Sequence, residues 1–116
     1  MCGIAGYINV INRPFFYDEA VLNRMQQALY HRGPNGYRQW VSAQEGIALI
    51  FTRLSIVDLS EGAFQPFFDE EKKTIVICNG EIYNYPSLRR ELEQLGYRFV
   101  TNCDVEVLLY AYKEWG

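Results

Sequence analysis

The sequence is short of the features that mark several broad classes of protein. Its 116 residues include one histidine, His31, and three cysteines, Cys2, Cys78 and Cys103. An odd, widely spaced set argues against a disulfide framework or a zinc site built from close ligand pairs, so no metal site is expected and a reducing compartment fits best. No apolar run approaches the roughly 18 residues of a membrane span, and the N-terminus lacks the basic stretch and long apolar region of a signal peptide. Charge of one sign is also missing: 11 Lys and Arg stand against 14 Asp and Glu, a net charge of −3. That balance disfavours a binder of phosphate backbones. A soluble, cytoplasmic protein with no nucleic-acid or membrane partner is expected. What is present is material for a core, at 49% hydrophobic and 16% aromatic residues, which excludes disorder.

Periodicity divides the chain into strands and helices without a linker or repeat. Residues 1–10 read as a buried strand, since they are apolar with β-branched residues. Asp18 is placed to cap a helix whose Val21, Leu22, Met25, Ala28 and Leu29 recur at helical spacing. His31 to Gly36 is punctuated by Gly and Pro and predicts a loop. Tyr37–Val41 and Ile47–Phe51 predict a hairpin joined by a polar turn. A loop follows to Pro66, and Thr74–Cys78, TIVIC, reads as a strand buried on both faces. Pro86 opens a helix with Leu88, Leu92 and Leu95 on its stripe, and Gly96 stops it. Tyr97–Val100 is expected to be a strand, and Asp104 to cap a last helix carrying Val105, Leu108, Leu109 and Tyr112. The fold class is α/β, of the α+β kind.

Cys2 is the most telling position for chemistry. Aminopeptidases that remove an initiator methionine act when the next side chain is small, and this would leave the cysteine at the terminus. A thiol has a reference pKa near 8.5 and an α-amino group one of about 7.7 to 8.0, so the amine can take the proton of its own residue's sulfur. Nucleophile and base then share one residue. Taken alone, a cysteine after Met is a small apolar residue starting a strand, Asn79-Gly80 is a turn signal, and Arg53, Glu81 and Asp104 are solvated charges or a helix cap.

In company these residues mean more. MCGIAGY, HRGP, RLSIVDL, NGEIYN and TNCDVEVLLYAY follow one another in an order that resembles the N-terminal glutaminase domain of the asparagine synthetases that use glutamine. These are class II glutamine amidotransferases of the N-terminal-nucleophile type. The resemblance spans essentially the whole chain. It implies an αββα layered sandwich, cut short at its C-terminal side, so that residues 1–116 form a partial glutaminase domain without the synthetase domain. It implies hydrolysis of the glutamine side-chain amide to glutamate and ammonia through a glutamyl thioester, with the ammonia passed to an ATP-dependent asparagine synthetase domain. By the same resemblance Cys2 is the nucleophile, and the Asn79 side chain and Gly80 N–H are the oxyanion donors. Arg53 takes the substrate α-carboxylate, Glu81 and Asp104 take its α-ammonium, and Leu54, Ser55, Ile56 and Val57 continue the pocket wall.

The glutaminase step needs no cofactor, and ATP and Mg belong to the synthetase domain. His31 has a structural role in this reading, Arg32 helps hold the terminus, and Cys103 beside a helix N-terminus could be a second reactive thiol. Three positions depart from the family's usual pattern: Phe51 stands for His, Asn35 for Asp, and Cys103 to Glu106 for Ser-Asp-Thr-Glu. Two rival readings follow the same residues. One is an asparagine-synthetase-like amidotransferase that modifies a sugar or a peptide. The other is a shortened glutamine-binding or assembly module whose unpaired strand edges favour self-association, as in a homodimer.

Overall fold

The computed structural model describes residues 2–10, 17–55, 62 and 64–116. Two compact units divide the chain, residues 1–54 and 55–116.

The first unit is a three-stranded antiparallel sheet with one helix against it. β1 (Gly3–Ile8) and β2 (Tyr37–Ser42) flank β3 (Ile47–Thr52), the central strand. Gly3 stands opposite Thr52 and Ile8 opposite Ile47, while Tyr37 faces Thr52 from the other side. β3 is central because it has the longest apolar run: Ala48, Ile50 and Phe51 are all buried. Helix α1 (Glu19–Leu29) begins where expected, with Asp18 Oδ1 accepting from Ala20 N at 2.8 Å. Leu22 meets Ala48 and Ile50, and Tyr7, Met25, Leu29 and Val41 close around them. Full burial of Leu22 contributes roughly 1.5 to 3 kcal/mol. At the rim, Gln39 Nε2 donates to Asn23 Oδ1 and to Gln26 Oε1, at 2.9 and 2.7 Å, tying the sheet to the helix.

Two expectations change here. β1 is a strand but not a buried one: its exposure alternates, with Ile8 60% exposed, because it lies at the sheet edge and turns only one row of side chains to α1. Tyr30–Arg32 form a single 3-10 turn that takes in His31 and Arg32 of the stretch read as a loop, extending α1 by a tighter turn before Gly33.

The second unit pairs two helices with a short hairpin. β4 (Phe67–Phe68) and β5 (Ile75–Val76) are antiparallel, Phe67 facing Val76. The strand read as Thr74–Cys78 and buried on both faces is thus two residues long and half-buried. It has one partner strand among the described residues. Helix α2 (Tyr85–Gln94) carries Pro86 in its first turn and ends at Gly96, whose φ of 99° is a left-handed conformation open to glycine. Leu92 is buried, but Leu95, expected on the same stripe, is 52% exposed. Helix α3 (Glu106–Trp115) buries Val107, Leu109 and Tyr110, and Tyr112 points out. Phe67, Leu92, Val105, Val107, Leu109 and Tyr110 make this unit's core.

Tyr97–Val100 is not a strand. Its aromatic side chains pack on Tyr110, ring centroids 5.2 Å away for Tyr97 and 4.9 Å for Phe99. The buried Glu106 carboxylate takes the N–H groups of Val100 and Thr101, both at 2.8 Å. A carboxylate on the following helix has replaced the partner strand. The two tryptophans of the chain fall one in each unit, Trp40 on β2 and Trp115 at the end of α3.

The hairpin loop between β4 and β5 holds a buried carboxylate. Asp69 Oδ1 accepts from Lys73 N at 2.7 Å and Thr74 N at 3.0 Å, and Lys113 Nζ on α3 reaches Oδ2 at 3.1 Å. The Thr74 N–H bond, with help from Lys113, holds the Asp69 carboxyl below the usual carboxylate range in spite of its burial. A folded pKa below the unfolded one stabilises the protein above about pH 4, and that contribution is lost as the pH falls through the lower, folded value. Asp69→Ala is therefore expected to flatten the acid limb of stability against pH. Urea midpoints measured from pH 6 to pH 2 check this, and an unchanged slope would refute it.

Candidate active site

The expected site residues divide between the two units. Cys2, Arg53 and Leu54 belong to the first, and Ser55, Asn79, Gly80, Glu81 and Asp104 to the second. Ile56 and Val57 lie outside the described residues.

In the first unit, Cys2 stands just ahead of β1 with its thiol half-buried. The Leu54 N–H donates to Cys2 Sγ at 3.3 Å, and the thiol lies 3.6 Å from the Leu54 carbonyl, which it can serve as donor. Main-chain groups of the RLS segment thus hold the sulfur, a role that depends on backbone placement and that no residue type betrays. Arg32 Nε donates to the Cys2 carbonyl at 3.3 Å, so the HRGP loop does hold the terminus. His31 is exposed.

Arg53 is buried directly after β3. Its N–H donates to the Gly36 carbonyl at 2.8 Å, and its carbonyl accepts from Asn35 N at 3.0 Å, so the HRGPNG loop runs alongside it. Gly33 makes this approach feasible: a Cβ there would run into the main chain of Thr52 and Arg53. A cavity of about 240 Å³ in this unit lies by the same loop, lined by Gln26, Tyr30, Asn35 and Tyr37 among others. None of the expected site residues lines it.

In the second unit, Asn79, Gly80 and Glu81 follow β5 as irregular chain, with Asn79 half-buried and Gly80 and Glu81 exposed. Asp104 is buried, and its Oδ2 accepts from Ile82 N at 2.6 Å. The structure therefore brings Asp104 to the end of the NGE segment. It does not cap α3: Val105 precedes the helix with no side-chain cap, and the Asp104 carboxylate points to Ile82 instead. The Cys103 thiol lies 3.7 Å from Asp104 Oδ1, to which it can donate. Glu106, not singled out from sequence as a site residue, fixes the loop leading to Asp104 through Val100 and Thr101. Its only signal was an acidic residue in the first turn of a helix. Of the departing positions, Phe51 is buried on β3 and Asn35 contributes a main-chain bond.

The profile of the glutamine amidotransferase domain family matches residues 1–116. The chain belongs to that family. It is 42% identical over 118 residues to asparagine synthetase [glutamine-hydrolyzing] 1 of Bacillus subtilis, an alignment covering 99% of this chain and 18% of that protein. Asparagine synthetase [glutamine-hydrolyzing] 2 of the same bacterium is 39% identical over 100% of this chain and 15% of its own length. The amidase chry2 of Gibberella zeae is 33% identical over 100% of this chain and 18% of its length. The chain thus spans a fifth or less of the curated relatives it matches. Among the described residues, no helix is long and apolar enough to cross a membrane.

Proposed function

We propose that this chain hydrolyses the side-chain amide of glutamine and hands the ammonia to an ATP-dependent asparagine synthetase domain of the full protein. The observation that carries the reading is family membership over residues 1–116, with glutamine-hydrolysing asparagine synthetases among the relatives. The amidase among them matches over the same residues, so the family match speaks for the use of glutamine, while the ammonia acceptor is a matter for the rest of the protein.

With Met1 removed, the Cys2 amine takes the thiol proton and the sulfur attacks the amide carbon. Negative charge gathers on the former carbonyl oxygen, where the Asn79 NH2 and the Gly80 N–H donate to it. The C–N bond breaks, the proton held by the amine leaves with the nitrogen as ammonia, and a glutamyl thioester remains. Water then attacks the thioester, giving glutamate and the free thiol. Arg53 pairs with the α-carboxylate, and Glu81 and Asp104 receive the α-ammonium, with Leu54 to Val57 as the wall. The Asp104 carboxylate already accepts from Ile82 N, which aims it while leaving lone pairs for a cation. No step requires a metal or cofactor of this chain; ATP and Mg2+ serve the acceptor reaction. The same proposal places the protein in the cytoplasm, a reducing compartment suited to a catalytic thiol.

The finer architecture belongs to the same proposal. α1 packs on the face of the first sheet that carries Ala48 and Ile50, and the register puts Ile4, Trp40, Leu49 and Phe51 on the opposite face. Arg38 and Ser42 share that face, whose apolar residues are the kind that a layered αββα sandwich buries between its sheets.

Treatment with a diazo-ketone analogue of glutamine tests the reading. Intact mass should show one adduct on the processed protein and none where Met1 is retained; absence of any adduct would sink it. Arg53→Ala should weaken glutamine binding by about 1.5 to 3 kcal/mol, the range for a hydrogen bond to a charged group. Calorimetric titration beside a thermal melt checks this, and an unchanged affinity would remove Arg53 from the clamp.

A further inference from the structure

Gln65 has a polar side chain almost wholly withdrawn from solvent, 4% exposed, two residues ahead of β4. Continuing the antiparallel register of Phe68 with Ile75 and Phe67 with Val76 by two positions sets Gln65 opposite Cys78. The Gln65 amide makes both bonds a backbone would have made there. Its Oε1 accepts from Cys78 N at 2.5 Å and its Nε2 donates to the Cys78 carbonyl at 3.1 Å. A side chain has supplied one more rung to the β4–β5 ladder.

The rung falls one residue before Asn79. At the far end of the same segment, Ile82 N is held by Asp104 Oδ2. Asn79, Gly80 and Glu81 are thus suspended between two buried side chains that grip main chain, Gln65 at one end and Asp104 at the other. Gly80 lies only two residues from the gripped Cys78, and a Cβ on it would sit 3.3 Å from Cys78 Sγ.

We propose that Gln65 is a positioning residue for glutamine hydrolysis, fixing the strand end from which the Asn79 side chain and the Gly80 N–H donate to the oxyanion. The inference rests on the reading of those two groups as oxyanion donors. Preorganised donors act through placement to within about 0.5 Å, and a 1 Å displacement can cost about 10²-fold in rate. Such donors serve the transition state far more than bound substrate, so losing their alignment lowers kcat and leaves KM nearly unchanged.

The test uses the full-length protein with Met1 removed. Gln65→Met keeps the volume and removes both bonds, while Gln65→Glu keeps the acceptor for Cys78 N and loses the donor. Glutamate release should fall by about 10- to 100-fold in kcat for Gln65→Met and by less for Gln65→Glu, with KM within about threefold in each. In an Asn79→Ala background, Gln65→Met should cost much less than in the wild type, because one of the two donors it serves is gone. A purely structural glutamine would cost the same factor in both backgrounds, and that result overturns the proposal. So does a loss confined to KM. Should Gln65→Met not fold, Gln65→Glu carries the same comparison with and without Asn79. A wild-type protein that hydrolyses glutamine beside variants that match it defeats this inference alone; a wild type with no glutaminase activity defeats the underlying reading as well.

Discussion

Replacing Cys2 with alanine should reduce glutamine hydrolysis by about 10⁴-fold or more, to the background of the assay. The size of the effect follows from the proposed chemistry: there the thiol forms the covalent intermediate, so without it the two-step route through a thioester disappears and only attack by water is left. Folding should survive. The sulfur makes one accepted bond from Leu54 N and one weak contact with the Leu54 carbonyl, and such bonds contribute on the order of 1 kcal/mol each at most. A thermal melt should place the variant within a few degrees of the parent. In the full-length protein, ammonia added from solution should still support the acceptor reaction, since that step does not use the sulfur. Glutamine hydrolysis persisting in Cys2→Ala would remove the cysteine from its role.

Asn79→Ala should lower kcat by about 10²- to 10³-fold with KM nearly unchanged. The side chain sits just beyond β5, half-buried, on a segment gripped at Cys78 and at Ile82. A donor held there costs no reorganisation when charge develops, which is why its loss is felt in the transition state and not in the Michaelis complex. Glutamate release at saturating glutamine, compared with its concentration dependence, separates the two. A KM that rises while kcat holds would mean that Asn79 binds ground-state substrate, and the oxyanion assignment would fall.

Much of the local structure was legible before any coordinate was known, and the failures have definite causes. Asp18 announced α1 because its cap is local, two residues from its partner N–H. The β2–β3 hairpin was readable because a polar turn joins two strands that pair with each other. The pairing of β1 with β3 was not, since partners 39 to 49 residues apart in sequence leave no local trace. Tyr97–Val100 has the β-branched and aromatic composition of a strand, but composition cannot reveal that Glu106 would take its N–H groups and Tyr110 its rings. Asp104 misled for the same reason: a cap is the local option for an aspartate before a helix, and a distant N–H on Ile82 outcompeted it.

The candidate site rests on the sequence in a different way. Residue types and motif order propose Cys2, Asn79 and Arg53, because thiol, amide and guanidinium each do a job that few other side chains can. Of the supports, Leu54 was named as pocket wall and its main chain meets the Cys2 sulfur, whereas Gln65 was not named, because its bond pattern depends on register. Chemistry is written in side chains, whereas alignment is written largely in contacts.

The distribution of tryptophan gives each unit its own optical reporter. Trp40 sits in the middle of β2 and Trp115 at the last turn of α3, and the chain has no others. Replacing either with phenylalanine leaves a fluorescence signal that comes from one unit only. The order in which the units lose structure in denaturant can then be read from emission alone, without labels, and a stability change caused by any substitution can be traced to the half of the molecule in which it occurs.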